Sequence, residues 1–473
     1  MEAVHLLPLG MAFVFLVAVF RRDRTTTRPR EHTIVVSDPA IIRSALIDHA
    51  DAFSNRPLPR FPAGRPITHS ITSAPYGPLW QGLRRNFTAD ILHRSRLGVL
   101  TPLEREAAAA AVASLSAQAG NNGDVVIRNT LHGAVLALFA RLCFGADDDN
   151  GMDERALRTV LQMQQEFLSN FTLVRATDRS WLTRLLHWRR RRRHAGVFDR
   201  IDEVFIPAIM ARRRRQSRDG DCGDGFRSYL DSLLELDIPI DDDDDGRARR
   251  PLTDEEIGFL IWEFLSAGTS STVTCLEWTL AHLAAEPGIQ DKLHREVAAD
   301  HLRSMTGTAA SELRLPYLHA VVLESLRLHP PVPFLLREVQ AEDVAVTLGE
   351  AAVPPGGASV TFVLGAFGRD GEVWTNPDEF RPERFLEGGE GEGVSLVPGP
   401  KEIKMMPFSA GRRHCAGVAM GMAHVKCFLA EFVRELEWAQ PADGSGIDFT
   451  ELDEFIKWMK MPLRVRVAPR LLK

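Results

Sequence analysis

Apolar residues recur at three- and four-residue steps along most of the chain, the period of a helix with one face against a core. The pattern predicts helices over Leu103–Ala117, Thr130–Phe144, Ala156–Phe167 and Glu255–Ala285, and a further apolar helical run from Val418 to Leu436. Strand candidates are few and short: Thr33–Val36, Val344–Leu348 and Pro462–Val467. The implied class is mainly α with small β-sheets. No fixed repeat period is present, which excludes solenoids and propellers.

One stretch departs from amphipathic patterning. Val4 to Phe20 is almost continuously apolar, and Arg21, Arg22 and Arg24 follow at once. It is slightly shorter than the about 20 residues that span a bilayer. A cleaved signal peptide would carry positive charge before the apolar run, whereas the only early charge here is Glu2. The positive-inside rule then leaves the N-terminus across the membrane and the rest in the cytosol. The expected organisation is a transmembrane anchor over residues 1–20 and one domain over 21–473. In a cytosolic domain the sequons at Asn86 and Asn170 read as chance matches.

Composition narrows the function classes. A chain of 473 residues, 45% hydrophobic with net charge −6, has material for one large domain and no concentrated basic face for nucleic acid. Five cysteines, odd in number and far apart, make no disulfide framework and point to a reducing compartment. Arg189 to Arg193 follow Leu185, Leu186 and Trp188, either as a basic membrane-touching edge or as a solvated helix end. Asp241 to Asp245 read as a flexible surface loop, and Arg212 to Arg215 as part of the same solvated region.

The chemistry concentrates near the C-terminus, in Pro407-Phe408-Ser409-Ala410-Gly411-Arg412-Arg413-His414-Cys415-Ala416-Gly417. Cys415 precedes the helical run from Val418. A thiolate there meets unpaired N–H groups and the positive end of the helix dipole, which favour the ionised sulfur. Gly411 permits a tight turn, and Gly417 lets the backbone come close to a flat ring. Arg413 can reach a carboxylate on such a ring, and Phe408 can shield the sulfur from water. A buried structural cysteine and a zinc ligand are the competing readings. The first is common for cysteine in general. The second wants paired ligands, yet His414, His424 and Cys427 have none of the usual spacings. His424 and Cys427 read as helix packing.

This loop resembles the haem-binding loop of the cytochrome P450 superfamily, and its surroundings are most similar to the plant microsomal branch, over nearly all of the chain from about Thr33. The resemblance implies the cytochrome P450 fold, haem b (iron protoporphyrin IX) as cofactor, and Cys415 as the proximal metal ligand. Such a thiolate pushes electron density onto iron and favours O–O cleavage. Phe408, Gly411, Arg413 and Gly417 become cofactor-binding residues, joined by Trp80 and Arg84, whose Trp-x-x-x-Arg spacing matches the family's propionate-side pair. Glu324 and Arg327 share one helix face at i and i+3. With Arg384 of Pro382-Glu383-Arg384-Phe385 they carry over as a buried ion triad that holds geometry more than it adds stability. Their helix ends at His329-Pro330-Pro331. The family often places a propionate-binding arginine near Leu335-Leu336-Arg337-Glu338, but the register is ambiguous and Arg337 stays outside the set.

Two departures qualify the resemblance. The oxygen-side helix carries Ala267-Gly268-Thr269-Ser270-Ser271-Thr272, similar to the family's Ala-Gly-x-acid-Thr. Ser270 replaces the acid and Ser271 the threonine. Gly268, about 1 kcal/mol worse than alanine in mid-helix, reads as room for a ligand or a kink. Ser271, Ser270 and Gly268 are the expected catalytic positions, with the Ser271 hydroxyl still able to donate in a proton relay. Loss of the carboxylate predicts slower or leakier turnover. The second departure is at the start, where only Arg21 to His32 separate the anchor from the first matching segment. The family's proline-rich hinge, first helix and first strand have no counterpart there, which opens a sheet edge.

The implied activity is a monooxygenase that inserts one atom of O2 into a small apolar substrate, with electrons from an NADPH-dependent cytochrome P450 reductase. The setting is the endoplasmic reticulum membrane, single-pass, with the catalytic domain facing the cytosol. Phe264, Ala267, Ser271, Val332, Phe334 and Ile456 are the expected pocket lining. Lys401, Lys404, Arg412, Arg413 and Lys426 flank the thiolate loop as a basic face for an acidic reductase, or as a solvated one. The altered serines keep open a haem-thiolate isomerase or dehydratase that acts on a peroxide without O2. The short N-terminal region keeps open a truncated, inactive haem-binding remnant.

Overall fold

The computed structural model describes residues 32–470 apart from 58–68, 94–95, 121–122, 146–151, 178–180, 220–226, 241–247, 306–314, 340–346, 349–350, 353–357 and 400–402. The expected anchor and the Asp241–Asp245 run lie outside those residues. Among the described residues no helix is long and apolar enough to cross a membrane. Nine helices there have nine residues or more: α1 (Pro78–Asn86), α2 (Leu97–Ala119), α3 (Arg128–Phe144), α4 (Glu154–Thr177), α5 (Trp188–Asp219), α6 (Asp254–Ala285), α7 (Pro287–Met305), α8 (Pro316–Leu328) and α9 (Val418–Glu435). The predicted helices over Leu103–Ala117, Thr130–Phe144, Ala156–Phe167 and Glu255–Ala285 fall inside α2, α3, α4 and α6. The run from Val418 is α9, with Leu436 given over to a strand.

The centre of the fold is α6. Thr253 and Glu256 close a reciprocal capping box at its start, and Asp254, Glu255 and Glu256 sit where the helix dipole favours negative charge. The helix is apolar on nearly every face and most of it is buried, against α3, α5 and α9. Arg128 of α3 donates from Nε to both oxygens of the buried Glu277 at 2.9 and 3.0 Å, and the Leu463 N–H donates to the same carboxylate. That ion pair ties α3, α6 and the C-terminal strand together.

The sheets are small. β1 (His32–Val36), β4 (Ala358–Val363) and β3 (Phe334–Val339) lie in the order β1-β4-β3, with β1 parallel and β3 antiparallel to β4. Burial alternates along β3, so Leu335, Arg337 and Val339 face inward. β1 is at one edge of this sheet, with Val35 67% exposed. A second sheet joins β2 (Asp124–Val126), β6 (Arg464–Pro469) and β5 (Leu436–Ala439) in the order β2-β6-β5. The predicted strand Pro462–Val467 is thus displaced by two residues. Of Val344–Leu348 only Thr347–Leu348 is strand among the described residues, paired with Ala351–Ala352.

The solvated reading of Arg212 does not hold. Its guanidinium meets Asp231 two-armed, at 2.7 and 2.9 Å, with both side chains largely buried. Arg213 pairs with Asp254. Arg189, Arg190, Arg192 and Arg193 are exposed, as are Leu185, Leu186 and Trp188. Asn86 is half-buried and donates to Ser232 Oγ at 3.0 Å, so that sequon is engaged inside the fold.

Glu324, Arg327 and Arg384 have fully buried side chains. Arg327 meets Glu324 through Nε at 2.7 Å and Nη2 at 2.8 Å, and Arg384 Nε donates to Oε1 at 3.2 Å. The other guanidinium N–H groups go to carbonyls of Gly368, Pro377 and Glu379 from Arg327, and of Thr375 and Asn376 from Arg384, which also pairs with Glu390. A buried pair gains little over an apolar replacement, but removing one partner strands the other charge. Glu324→Ala should therefore lower stability by about 3–5 kcal/mol, read from urea denaturation. A change below about 1 kcal/mol would show that the triad is not needed to hold the fold.

Candidate active site

Glu263, Ala267 and Ser271 lie at i, i+4 and i+8 on α6 and form one stripe. Ala267 is exposed and the other two are half-buried, although most of the surrounding helix is enclosed. An exposed alanine in the middle of such a helix opens onto an internal void. The Cys415 side chain is likewise uncovered. Yet enough protein surrounds it that burial raises its thiol pKa. Arg56 is within electrostatic reach of both Glu263 and Cys415.

The loop that presents the sulfur is built on two left-handed residues, Ser409 at φ 65° and Gly411 at φ 74°. A Cβ on Gly411 would overlap the Leu46 carbonyl oxygen, so only glycine fits this turn. The Cys415 N–H closes the loop on the Phe408 carbonyl at 2.9 Å. Gly417 is the N-cap residue of α9. The ionised sulfur expected from that helix start is not what the surroundings favour. Burial outweighs the Gly417 N–H, Arg84 and Arg56, and holds the thiol above its ordinary pKa. A metal cation is what would deprotonate it.

Four guanidinium groups lie within electrostatic reach of one another beside these surfaces. Arg413 lies over the Trp80 ring at 4.9 Å and donates to the carbonyls of Ser54, Ile71, Thr72 and Ala74. Trp80 Nε1 donates to the Ile71 carbonyl at 2.9 Å, and Arg84 Nη2 to the His414 carbonyl at 2.9 Å. Arg56 Nη1 reaches the Thr72 carbonyl at 3.3 Å. Arg337, inward on β3, spends Nη1 on the Leu336 carbonyl and leaves Nη2 buried without a partner. Burial lowers all four pKa values, that of Arg413 to about 9. Near them stands one carboxylate, Glu263, whose pKa burial raises. Desolvated cations in this excess want anions. A flat, largely apolar ring carrying two carboxylates and a metal for the sulfur fits the residues present.

Sequence reasoning missed Arg56 and Glu263 and set Arg337 aside. Arg337 had a signal, since it is the middle inward position of an alternating strand. Glu263 had one too, as the lone acid within Leu260-Ile261-Trp262-Glu263-Phe264-Leu265. Nothing in the sequence marked Arg56.

Other expected site residues lie elsewhere. Phe264 is off the open stripe, buried among Phe87, Phe139 and Tyr229 at ring distances of 5.3, 5.1 and 5.3 Å. Ile456 is buried in the core, while Val332 and Phe334 are half-buried. Ser271 Oγ donates to the Ala267 carbonyl at 2.7 Å, and Ser270 Oγ is buried without a partner. The basic residues beside the loop do not form one free face: Arg413 is buried, Lys404 donates to the Glu390 carbonyl and Arg412 pairs with Asp51. Lys401 lies outside the described residues. His424 does more than pack, since its Nδ1 meets the buried Glu104 carboxylate at 2.6 Å. Gly268 makes room for a neighbouring ring and not for a ligand. A Cβ there would overlap the Phe139 ring, and α6 runs through unbroken. Gly268→Ala should cost about 1–3 kcal/mol through overpacking. In a cycle with Phe139→Ala the double variant should be at least about 1 kcal/mol more stable than the sum of the singles. Additive losses would refute this role for Gly268.

A family model described as Cytochrome P450 matches residues 25–463. The chain is 32% identical over 448 residues to cytochrome P450 89A9 of Arabidopsis thaliana, covering 93% of this chain and 84% of that relative. It is 30% identical over 413 residues to the 2-hydroxyisoflavanone synthase of Glycyrrhiza uralensis, covering 85% and 75%. A zebrafish cytochrome P450 solved with progesterone shares the fold, with a TM-score of 0.70 at 22% identity over 94% of this chain and 95% of that one. The loop, the triad and the full-length match agree: this chain belongs to the cytochrome P450 family.

Proposed function

We propose that this haem b monooxygenase takes Cys415 as its proximal iron ligand and oxidises a small apolar substrate, with electrons from an NADPH-dependent reductase. The observation that carries the reading is the uncovered Cys415 sulfur within reach of a cluster of four guanidinium groups short of anions. Arg56, Arg84, Arg337 and Arg413, with Trp80, would hold the two propionates, Gly411 would keep the loop in its tight turn, and Gly417 would let the backbone approach the ring. When bound, the haem supplies the metal at which molecular oxygen is activated. On the opposite side Ala267 leaves space above the ring. Ser271 gives its proton to the Ala267 carbonyl at rest, so it must break that bond to donate elsewhere. Ser270 offers a hydroxyl where an acid would hold a proton ready. Turnover should therefore leak reducing equivalents into peroxide.

Support for a membrane setting comes from Val4–Phe20 in the sequence and from the exposed Leu182, Leu185, Leu186 and Trp188 beside the arginines of α5. Together they suit a domain lying on the cytosolic face of the endoplasmic reticulum.

The reduced, CO-treated protein should show the red-shifted thiolate–carbonyl band, and Cys415→Ala should lose it. Absence of the band in the wild type would favour an inactive remnant. NADPH consumption should exceed product formation, and Ser270→Asp should narrow the gap. Tight coupling in the wild type would refute the leaky relay. The serine pair also keeps a peroxide-rearranging activity in view. Conversion of a lipid hydroperoxide without NADPH would favour it, and no conversion would count against it.

A further inference from the structure

Glu263 is a carboxylate inside an apolar run of the central helix, and its two oxygens accept from backbone rather than from a cation. The Ile71 N–H donates to one oxygen at 2.9 Å and the Thr72 N–H to the other at 2.5 Å. The carbonyls of those same residues are held from elsewhere. Trp80 Nε1 and Arg413 Nη1 donate to Ile71, and Arg413 Nη1 and Arg56 Nη1 to Thr72. Ser73 N–H to Ser70 Oγ at 2.8 Å tightens the turn that follows. The Ser70–Ala74 segment is therefore strung between an acid on the oxygen-side helix and the arginine two residues before the sulfur. The Thr72 N–H and the Ile71 carbonyl belong to one peptide group, so an anion on that N–H strengthens the carbonyl as an acceptor, and there the two grips reinforce each other.

We infer that Glu263 is a positioning residue for the reaction, whose carboxylate fixes the Ile71–Thr72 segment against α6 and through it sets Arg413 beside the cofactor. The inference rests on the haem-thiolate reading of Cys415. It gives the oxygen-side helix a direct mechanical link to the thiolate loop, through a segment that borders the void. It also accounts for the one acid kept on the open stripe of α6, where position 270 has lost its own. Charged or titratable groups facing Glu263 are Arg56 from the segment before the void, Arg413 from the thiolate loop and the Tyr229 phenol from the short helix Tyr229–Leu234. Burial raises the Tyr229 pKa and lowers those of Arg56 and Arg413.

The test uses the haem-loaded wild type with Glu263→Gln and Glu263→Ala. Amide exchange in a peptide spanning residues 69–76 should be about tenfold faster in Glu263→Ala and less accelerated in Glu263→Gln, which keeps one acceptor. Exchange in α8, which carries Glu324 and Arg327, should not change, separating local release from general loosening. Removing the negative charge should also move the midpoint potential in the positive direction in both variants. Unchanged exchange and potential in Glu263→Gln, with the thiolate–carbonyl band normal in the wild type, would overturn this inference alone. That outcome is available even if Glu263→Ala fails to fold. A wild type without the band would overturn the Cys415 reading and this one with it.

Discussion

Buried positive charge beside the thiolate loop is the constraint on which the rest of the site depends. Arg56, Arg84, Arg337 and Arg413 come from four separate stretches of chain: the segment before the void, α1, β3 and the thiolate loop. Each loses solvation, and Arg337 also feels the repulsion of Arg56 and Arg413. Backbone carbonyls hold the cluster in place but bring no net negative charge. In the proposed site haem b would bring two carboxylates and a cation for the sulfur, which would link occupancy to the stability of the surrounding fold by mass action. The cofactor is in this sense part of the core.

The Glu324 triad shows the other way to bury the same residue types. There Arg327 and Arg384 share the Glu324 carboxylate, Arg384 also meets Glu390, and backbone carbonyls take the remaining N–H groups, so the charges are matched within the chain. The two arrangements are joined through the chain. α8 carries Glu324 and Arg327, turns at His329-Pro330-Pro331 and runs directly into β3, which presents Arg337. The compensated cluster fixes the strand that delivers an uncompensated cation. Arg128 and Glu277 do the same between α3, α6 and the C-terminal strand.

Much of this was legible from residue order. The helices over Thr130–Phe144 and Glu255–Ala285 and the run from Val418 were found within a few residues, because their apolar faces are the core. By contrast, α4 runs ten residues past Phe167, and α5 and α7 had no predicted counterpart. The thiolate loop and the triad were found because their residue types are unusual at fixed spacings. Gly268 was misread for a physical reason: its missing side chain is filled by Phe139 from α3, more than a hundred residues earlier, and no local pattern announces that contact. Arg212 looked solvated in an arginine run, but its partner Asp231 lies on another element. Cys415 looked ionised from its place before a helix, whereas enclosure by the rest of the chain works the other way. Each miss concerns a distant neighbour that sequence order does not display.

The outermost strand of the three-stranded sheet has a consequence for handling the protein. β1 offers the peptide groups on its free side, among the described residues, without a neighbouring strand, and it holds Val35 out to solvent. Such an edge is a template for strand addition from a second chain. Pairing of that edge with the same edge of a second copy uses up both, so at high concentration it would favour a closed two-fold dimer. A lysine in place of Val35 would blunt that edge without touching the helical core, and is the first change to make when the protein is to be concentrated.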